Sequence, residues 1–238
     1  MDANAMIEWL LTPISGAPDH AIAPWAAWHG RLMVLSWSFL LPLGMLAARY
    51  FKVTPRQDWP RALDNKSWWR THLWVQSAGV AVMPLGFLVA LENAGGAGGA
   101  AAIHRLCGWI AVVIGWVQVA AALLRGHKGG PTERTLRGDH YDMTPRRVAF
   151  ERVHKSLGWI AVPVALAATG LGLDLVDAPR WMPLVLALWW MALIGLGVAL
   201  QRAGRCVDTY QAIWGPDPAH PGNKRKPIGW GVSRWPGS

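Results

Sequence analysis

Two stretches, HRLCGWIAV from His104 and HKSLGWIAV from His154, share the pattern His-x-x-x-Gly-Trp-Ile-Ala-Val, and each heads a long apolar run. Two further histidines, His29 and His72, stand near the start of two other apolar runs. Neutral imidazole is a good iron ligand, and a facing pair of imidazoles can hold a haem iron from both sides. Position i+4 lies on the histidine's own helix face, so Gly108 and Gly158 are expected to leave room there for a flat macrocycle. A lone histidine near a helix end is ordinarily interfacial or bonded to a neighbour. Four of them, one in each of four runs, argue for a site, since polar residues inside a membrane mark function by default. Zinc or proton-relay chemistry is the competing reading. Zinc would want a third or fourth ligand. A relay would want carboxylates, and no Asp or Glu is expected deep in any run. His20, His127, His140 and His220 fall in polar connections.

The elements that must position these rings follow from hydropathy. Five apolar runs approach the ~20 residues a spanning helix needs: about Trp25 to Tyr50, Trp68 to Leu91, Ile103 to Leu124, Phe150 to Leu173 and Trp181 to Leu200. Internal prolines such as Pro42, Pro84 and Pro163 are tolerated in spanning helices. Met6 to Ile14 is too short to span and reads as an interfacial helix or a loosely held arm. Gly95 to Gly99 reads as a flexible connector, and the Pro- and Gly-rich tail after Arg205 as mostly irregular structure against the basic face. The organisation expected is an interfacial segment over 1–24, a membrane domain over 25–202 and a basic tail over 203–238. The fold class is an all-α membrane protein of five transmembrane helices, the first four forming a di-haem four-helix bundle.

Charge supports this reading. Only 16% of residues are charged, well below a soluble domain's usual quarter, and 53% are hydrophobic. The net charge of +9 is not a nucleic-acid footprint. The basic residues gather on one side: Arg49, Lys52, Arg56, Arg61, Lys66 and Arg70 at the first connection, a second group from Arg125 to Lys155 (Lys128, Arg134 and Arg137 among them), and a third after Arg202. Asp2, Glu8, Asp19, Glu92, Asp174 and Asp177 mark the other side. Positive loops stay in the cytoplasm, so the N-terminus is expected outside and the C-terminus inside, in a plasma or bacterial inner membrane. The acidic start predicts no cleaved leader. Cys107 and Cys206 are too differently placed to predict a disulfide or a metal cluster.

Depth then pairs the histidines. The first and third runs enter from outside, so His29 and His104 share an outer level; the second and fourth enter from the cytoplasm, so His72 and His154 share an inner one. The two levels are expected on the order of 20 Å apart from the helical rise. Arg31 and Arg105 lie within two positions of the outer histidines and could pair with haem propionates or snorkel to headgroups. Arg49, Arg70, Arg152 and Lys155 lie near the inner pair, where they could hold propionates, attract an anionic donor, or follow from topology alone. Gln76 could face a haem or bond another helix, and Cys107 is expected to be a small packing residue.

The stretches HGRLMVLSWSFLLPLGMLAARYFK, HLWVQSAGV, IHRLCGWIAVVIGWVQ and ERVHKSLGWIA, covering roughly Trp28 to Leu173, resemble the cytochrome b561 family of transmembrane electron carriers, in the form often joined to an outward-facing DOMON domain. The resemblance implies two b-type haems, the outer ligated by His29 and His104 and the inner by His72 and His154. It also implies transmembrane electron transfer, often from cytoplasmic ascorbate to outside acceptors such as monodehydroascorbate or ferric iron. Some family members place an ascorbate-binding lysine two positions before the second-span histidine; here that position is Arg70. The family core commonly has six spans, against five runs here, and no DOMON sequence is present. A separate periplasmic redox partner is therefore expected, with membrane lipid around the chain and a homodimer left open. A quinol-oxidising cytochrome subunit of a larger respiratory complex is the alternative, and a non-haem transporter or scaffold the remaining one.

Overall fold

In the computed structural model the described residues are 2–18, 20–93, 95, 98–125 and 145–234, with only the backbone described at Pro221. Asp19, His127, Lys128, Arg134, Arg137, His140, the middle of the Gly95 to Gly99 connector and the last four residues lie outside them. The described residues form helices α1 (Ala3–Leu11), α2 (Pro24–Met33), a π-helical stretch (Val34–Leu40), α3 (Leu41–Tyr50), α4 (Ser67–Asn93), α5 (Gly99–Leu123), α6 (Pro145–Leu175), α7 (Trp181–Arg202), α8 (Thr209–Trp214) and α9 (Pro221–Lys224). Five helices are long and apolar enough to cross a membrane, the first being continuous from Pro24 to Tyr50. Each corresponds to one expected run. Their outward faces are apolar: Trp74, Leu123 and Leu188 are largely exposed. Helices that are hydrophobic all round and leave such residues uncovered belong in lipid. This is an all-α, multi-pass membrane protein.

Local chemistry explains the ends and the irregularities. Pro24 opens α2 at a position where its missing N–H costs nothing. Pro84 and Pro163 sit inside α4 and α6. Gly79 of α4 lies so close to the first span that a Cβ would stand 2.8 Å from Leu41 Cδ2. The Ser36 hydroxyl in the π stretch donates to the Gly79 carbonyl at 2.9 Å. Small residues and hydroxyls at a contact are how spanning helices approach closely.

The chain forms two compact units, each assembled from three separate stretches. The first comprises Met1–Pro42, Gln76–Gly115 and Ala161–Gly195; the second comprises Leu43–Val75, Trp116–Ile160 and Leu196–Ser238. In the first unit, α1 is a capped helix, with the Asp2 carboxylate accepting from the Ala5 N–H at 2.8 Å. It is tied to the α6–α7 connection: the Asp177 carboxylate accepts from Ser15 N–H at 2.8 Å and Ser15 Oγ at 2.5 Å, and the Arg180 guanidinium lies 5.1 Å over Trp9. Those bonds hold the Asp177 carboxyl below its usual range.

The second unit departs from the irregular tail expected. Residues 206–215 are buried throughout and include α8. Val207 and Ala212 pack on Val53, with Trp59 against them. The buried Lys52 ammonium donates to the Val207 carbonyl at 3.0 Å. Burial pulls Lys52 down to about 8 and pushes the Asp208 carboxyl up. Apolar contact with the first connection orders the tail, which composition alone did not show.

Candidate functional site

In the first unit His29 comes from α2 and His104 from α5. Their ring centres are 6.0 Å apart with the planes at 83°. The Nδ1 of His29 lies 2.8 Å from the Gly86 carbonyl of α4, and the Nδ1 of His104 lies 2.9 Å from the Ala168 carbonyl of α6. A carbonyl only accepts, so each Nδ1 carries the proton and each Nε2 keeps a free lone pair. Such a bond fixes both tautomer and ring orientation of a ligating histidine. All four helices contribute, two with rings and two with backbone. Gly172 of α6 backs the His104 ring: a Cβ there would stand 3.0 Å from its Cε1. Among the described residues nothing lies within 4 Å of the place a Cβ on Gly108 would occupy. That open space is what a flat group beside His104 requires.

In the second unit His72 of α4 and His154 of α6 repeat the geometry, with ring centres 6.2 Å apart and planes at 84°. The Nδ1 of His72 lies 3.0 Å from the Gly44 carbonyl of α3. The fourth ring is held differently. His154 Nδ1 is buried without a hydrogen-bond partner among the described residues. Phe150 stacks on it at 5.1 Å, and Gln118 of α5 donates Nε2–H to the backbone carbonyl of His154 at 2.9 Å. Among the described residues the Gln118 Oε1 is also buried without a partner. Gly158 faces this amide, with a Cβ 3.5 Å from Gln118 Nε2. The two glycines of the repeated motif therefore look onto different surroundings.

The basic neighbours divide into engaged and open. Arg31 lies 5.4 Å over the Trp28 ring, and Arg105 bonds the Gly95 carbonyl; both are exposed. Arg70 and Arg152 are exposed as well. Arg49 bonds Gln201 at 2.9 Å and the Trp230 carbonyl at 2.8 Å, and Lys155 bonds the Ile228 carbonyl at 2.8 Å. These two hold the tail. Gln76 takes the second of its two expected roles, donating to the Leu41 carbonyl at 2.9 Å. Cys107 is partly buried.

Sequence reasoning missed four features. The carbonyls of Gly44, Gly86 and Ala168 have no side-chain signature. Gly172 was legible only as one more small residue. Gln118 belongs to a quoted stretch but carried no role. The fourth is Glu151, expected at the edge of its run and found inside α6, only 4% exposed. It bonds Arg147 at 2.7 Å and Lys155 at 2.6 Å. The spacing Arg147, Glu151, Lys155 puts all three on one helix face, so this ladder had a readable i, i+4 signal.

Among the described residues no three His, Cys, Asp or Glu side chains gather as a metal group. The imidazoles come as isolated facing pairs, a donor set suited to an iron whose other positions are already filled by a macrocycle.

A cytochrome b561, DM13 and DOMON domain-containing protein of Arabidopsis thaliana is 30% identical over 167 residues, 70% of this chain and 16% of that protein. A second Arabidopsis protein, named for cytochrome b561 and DOMON domains, is 30% identical over 183 residues, 76% of this chain and 39% of its own length. The chain is a cytochrome b561 homologue. Ferric-chelate reductase 1 of Bos taurus is 30% identical over 148 residues, 62% of this chain and 22% of that protein. The chain thus spans well under half the length of the b561-type relatives it matches. No family model matches it, and no solved structure does.

Proposed function

We propose that this b561 homologue passes single electrons across a membrane through two b-type haems, one held by His29 and His104 and one by His72 and His154. The observation that carries the reading is the pair of facing imidazoles in each unit. The two ring-centre separations are 6.0 and 6.2 Å, so each pair could hold one iron between its two rings. Three of the four rings have Nδ1 directed at a carbonyl, which leaves Nε2 for iron. Gly108 leaves the space a macrocycle needs. The residues present therefore fit haem.

Bound haem supplies a one-electron iron couple. The chain's own residues do the rest. The carbonyls of Gly44, Gly86 and Ala168 fix three imidazoles and raise their basicity. Phe150 and Gln118 hold the fourth. Apolar helices exclude water, and with the four imidazoles they would set the potential of a bound haem. Arg31 and Arg105 at the first site and Arg70 at the second are exposed basic residues that propionates or an anionic partner could reach.

The distribution of positive charge supports an N-terminus outside and a tail in the cytoplasm of a plasma or bacterial inner membrane. The donor would then be a cytoplasmic or membrane reductant, ascorbate or quinol. The names of the ferric-chelate reductase relatives make ferric chelates candidate acceptors, directly or through a separate redox protein. The test is a reduced-minus-oxidised visible spectrum of the purified protein, with pyridine haemochrome to count haems, followed by reduction from each face of oriented vesicles. The expected result is a b-type α-band and two haems per chain. Absence of that band ends the reading.

A further inference from the structure

Outside the histidine sites, α6 and the chain after α7 enclose a cavity of about 190 Å3 in the second unit. Val148 and Arg152 of α6 line it, with Asp208, Arg225, Lys226 and Ile228 from the tail. Arg152, Arg225 and Lys226 form no ion pair among the described residues. The nearest acid on α6, Glu151, is already taken by Arg147 and Lys155. Three cations thus border one small space with a single carboxylate, Asp208, beside them.

The backbone presenting these cations is tied down. Arg234 bonds the carbonyls of Gly222 and Arg225, and Asn223 Nδ2 donates to the Gly215 and Asp217 carbonyls at 2.9 and 2.8 Å. Lys155 bonds the Ile228 carbonyl at 2.8 Å. Arg225 and Lys226 therefore project from an anchored segment, which lowers the ordering cost of binding.

The chemistry selects the ligand. Two guanidinium forks and an ammonium suit an oxyanion with three or more oxygens, which is a phosphate rather than a carboxylate. Asp208 would oppose a bare polyanion but would accept from a headgroup hydroxyl. Val148 and Ile228 add apolar wall, and on the same helix Val153 is 46% and Ile160 50% exposed, as a surface beside acyl chains would be. Basic pockets at the cytoplasmic ends of spanning helices take lipid headgroups.

We propose that this cavity binds the phosphate of an anionic phospholipid with a hydroxylated headgroup, Arg152, Arg225 and Lys226 contacting the phosphate and Asp208 the hydroxyl. Free phosphate shares the oxyanion chemistry, and the two sources separate in one experiment. The full-length protein, delipidated in detergent, is offered phosphatidylglycerol, phosphatidylcholine or inorganic phosphate, and binding is read by native mass spectrometry. Phosphatidylglycerol is expected to bind at least about tenfold tighter than phosphatidylcholine. The variant R152Q/R225Q/K226Q is expected to lose that preference, while K224Q, an exposed charge outside the cavity, keeps it. R152Q and R225Q alone, checked by melting temperature, should each weaken binding if the triple variant does not fold. Equal binding of the two lipids overturns the proposal. So does a folded triple variant that retains the preference, or a K224Q variant that loses as much, because the charge would then act only diffusely. Inorganic phosphate binding without a phosphatidylglycerol preference overturns the lipid assignment.

Discussion

The His29–His104 site and the His72–His154 site use the same pair geometry but support it differently. At the first, both rings are held through Nδ1 by carbonyls of two other helices, and Gly172 packs flat against His104. At the second, one ring is held this way, and the other is placed by a stacked phenyl ring and an amide that reaches only its backbone. The second site also sits in a unit rich in buried charge, with Lys52, Arg147, Glu151 and Asp208 all less than 9% exposed. Among the described residues, the first unit's buried polar side chains are two serines, Ser36 and Ser38. The lesson is that a repeated motif specifies the ring, while the room beside it and its electronic setting come from whichever backbone or side chain its neighbour presents.

The largest effect that would break the comparison is loss of a ligand. Leucine at His29 or His104 should remove one haem and leave the second unit's spectrum intact, and leucine at His72 or His154 should do the reverse. Haemochrome counting with low-temperature spectra reads this, and loss of both haems from any single variant would deny that the sites are separate. Next comes Glu151→Gln. It removes the one carboxylate that Arg147 and Lys155 both pair with and should cost up to about 3–5 kcal/mol, the range for breaking a buried ion pair. Thermal melting followed through the second site's haem should show the loss, with the first site's haem retained. A smaller effect is expected of Gly172→Ala, where the new Cβ must displace the His104 ring at about 1–3 kcal/mol of overpacking. Its mark would be an altered electron paramagnetic resonance signal from the first site alone. The smallest is Gln118→Leu, which should shift the potential of the second site's haem without changing haem content; Gln118→Glu, a stronger acceptor near His154, should lower it. Equal shifts at both sites would remove Gln118 as a local influence.

Much was legible before any fold was seen. The five spans and the all-α class follow from apolar length and from the charges that punctuate it. Both are properties of contiguous residues, because insertion into a bilayer is decided segment by segment. Matching the four histidines by depth needed the order of the spans and the helical rise, and the same two pairs of rings lie edge-on with centres 6.0 and 6.2 Å apart.

What waited for tertiary structure depends on contacts between distant segments. The Gly44, Gly86 and Ala168 carbonyls look like any others along the chain until a neighbouring ring points at them. Gly172 and Gly158 acquire meaning only from the side chains opposite, a histidine in one case and a glutamine in the other. The tail reads as loose by composition and is ordered by Val53, Trp59 and Lys52 from a loop more than a hundred residues earlier. Residue order decided where the imidazoles lie along each helix; the packing of helix on helix decided what each imidazole feels, because hydrogen bonds and van der Waals contacts act only at close range.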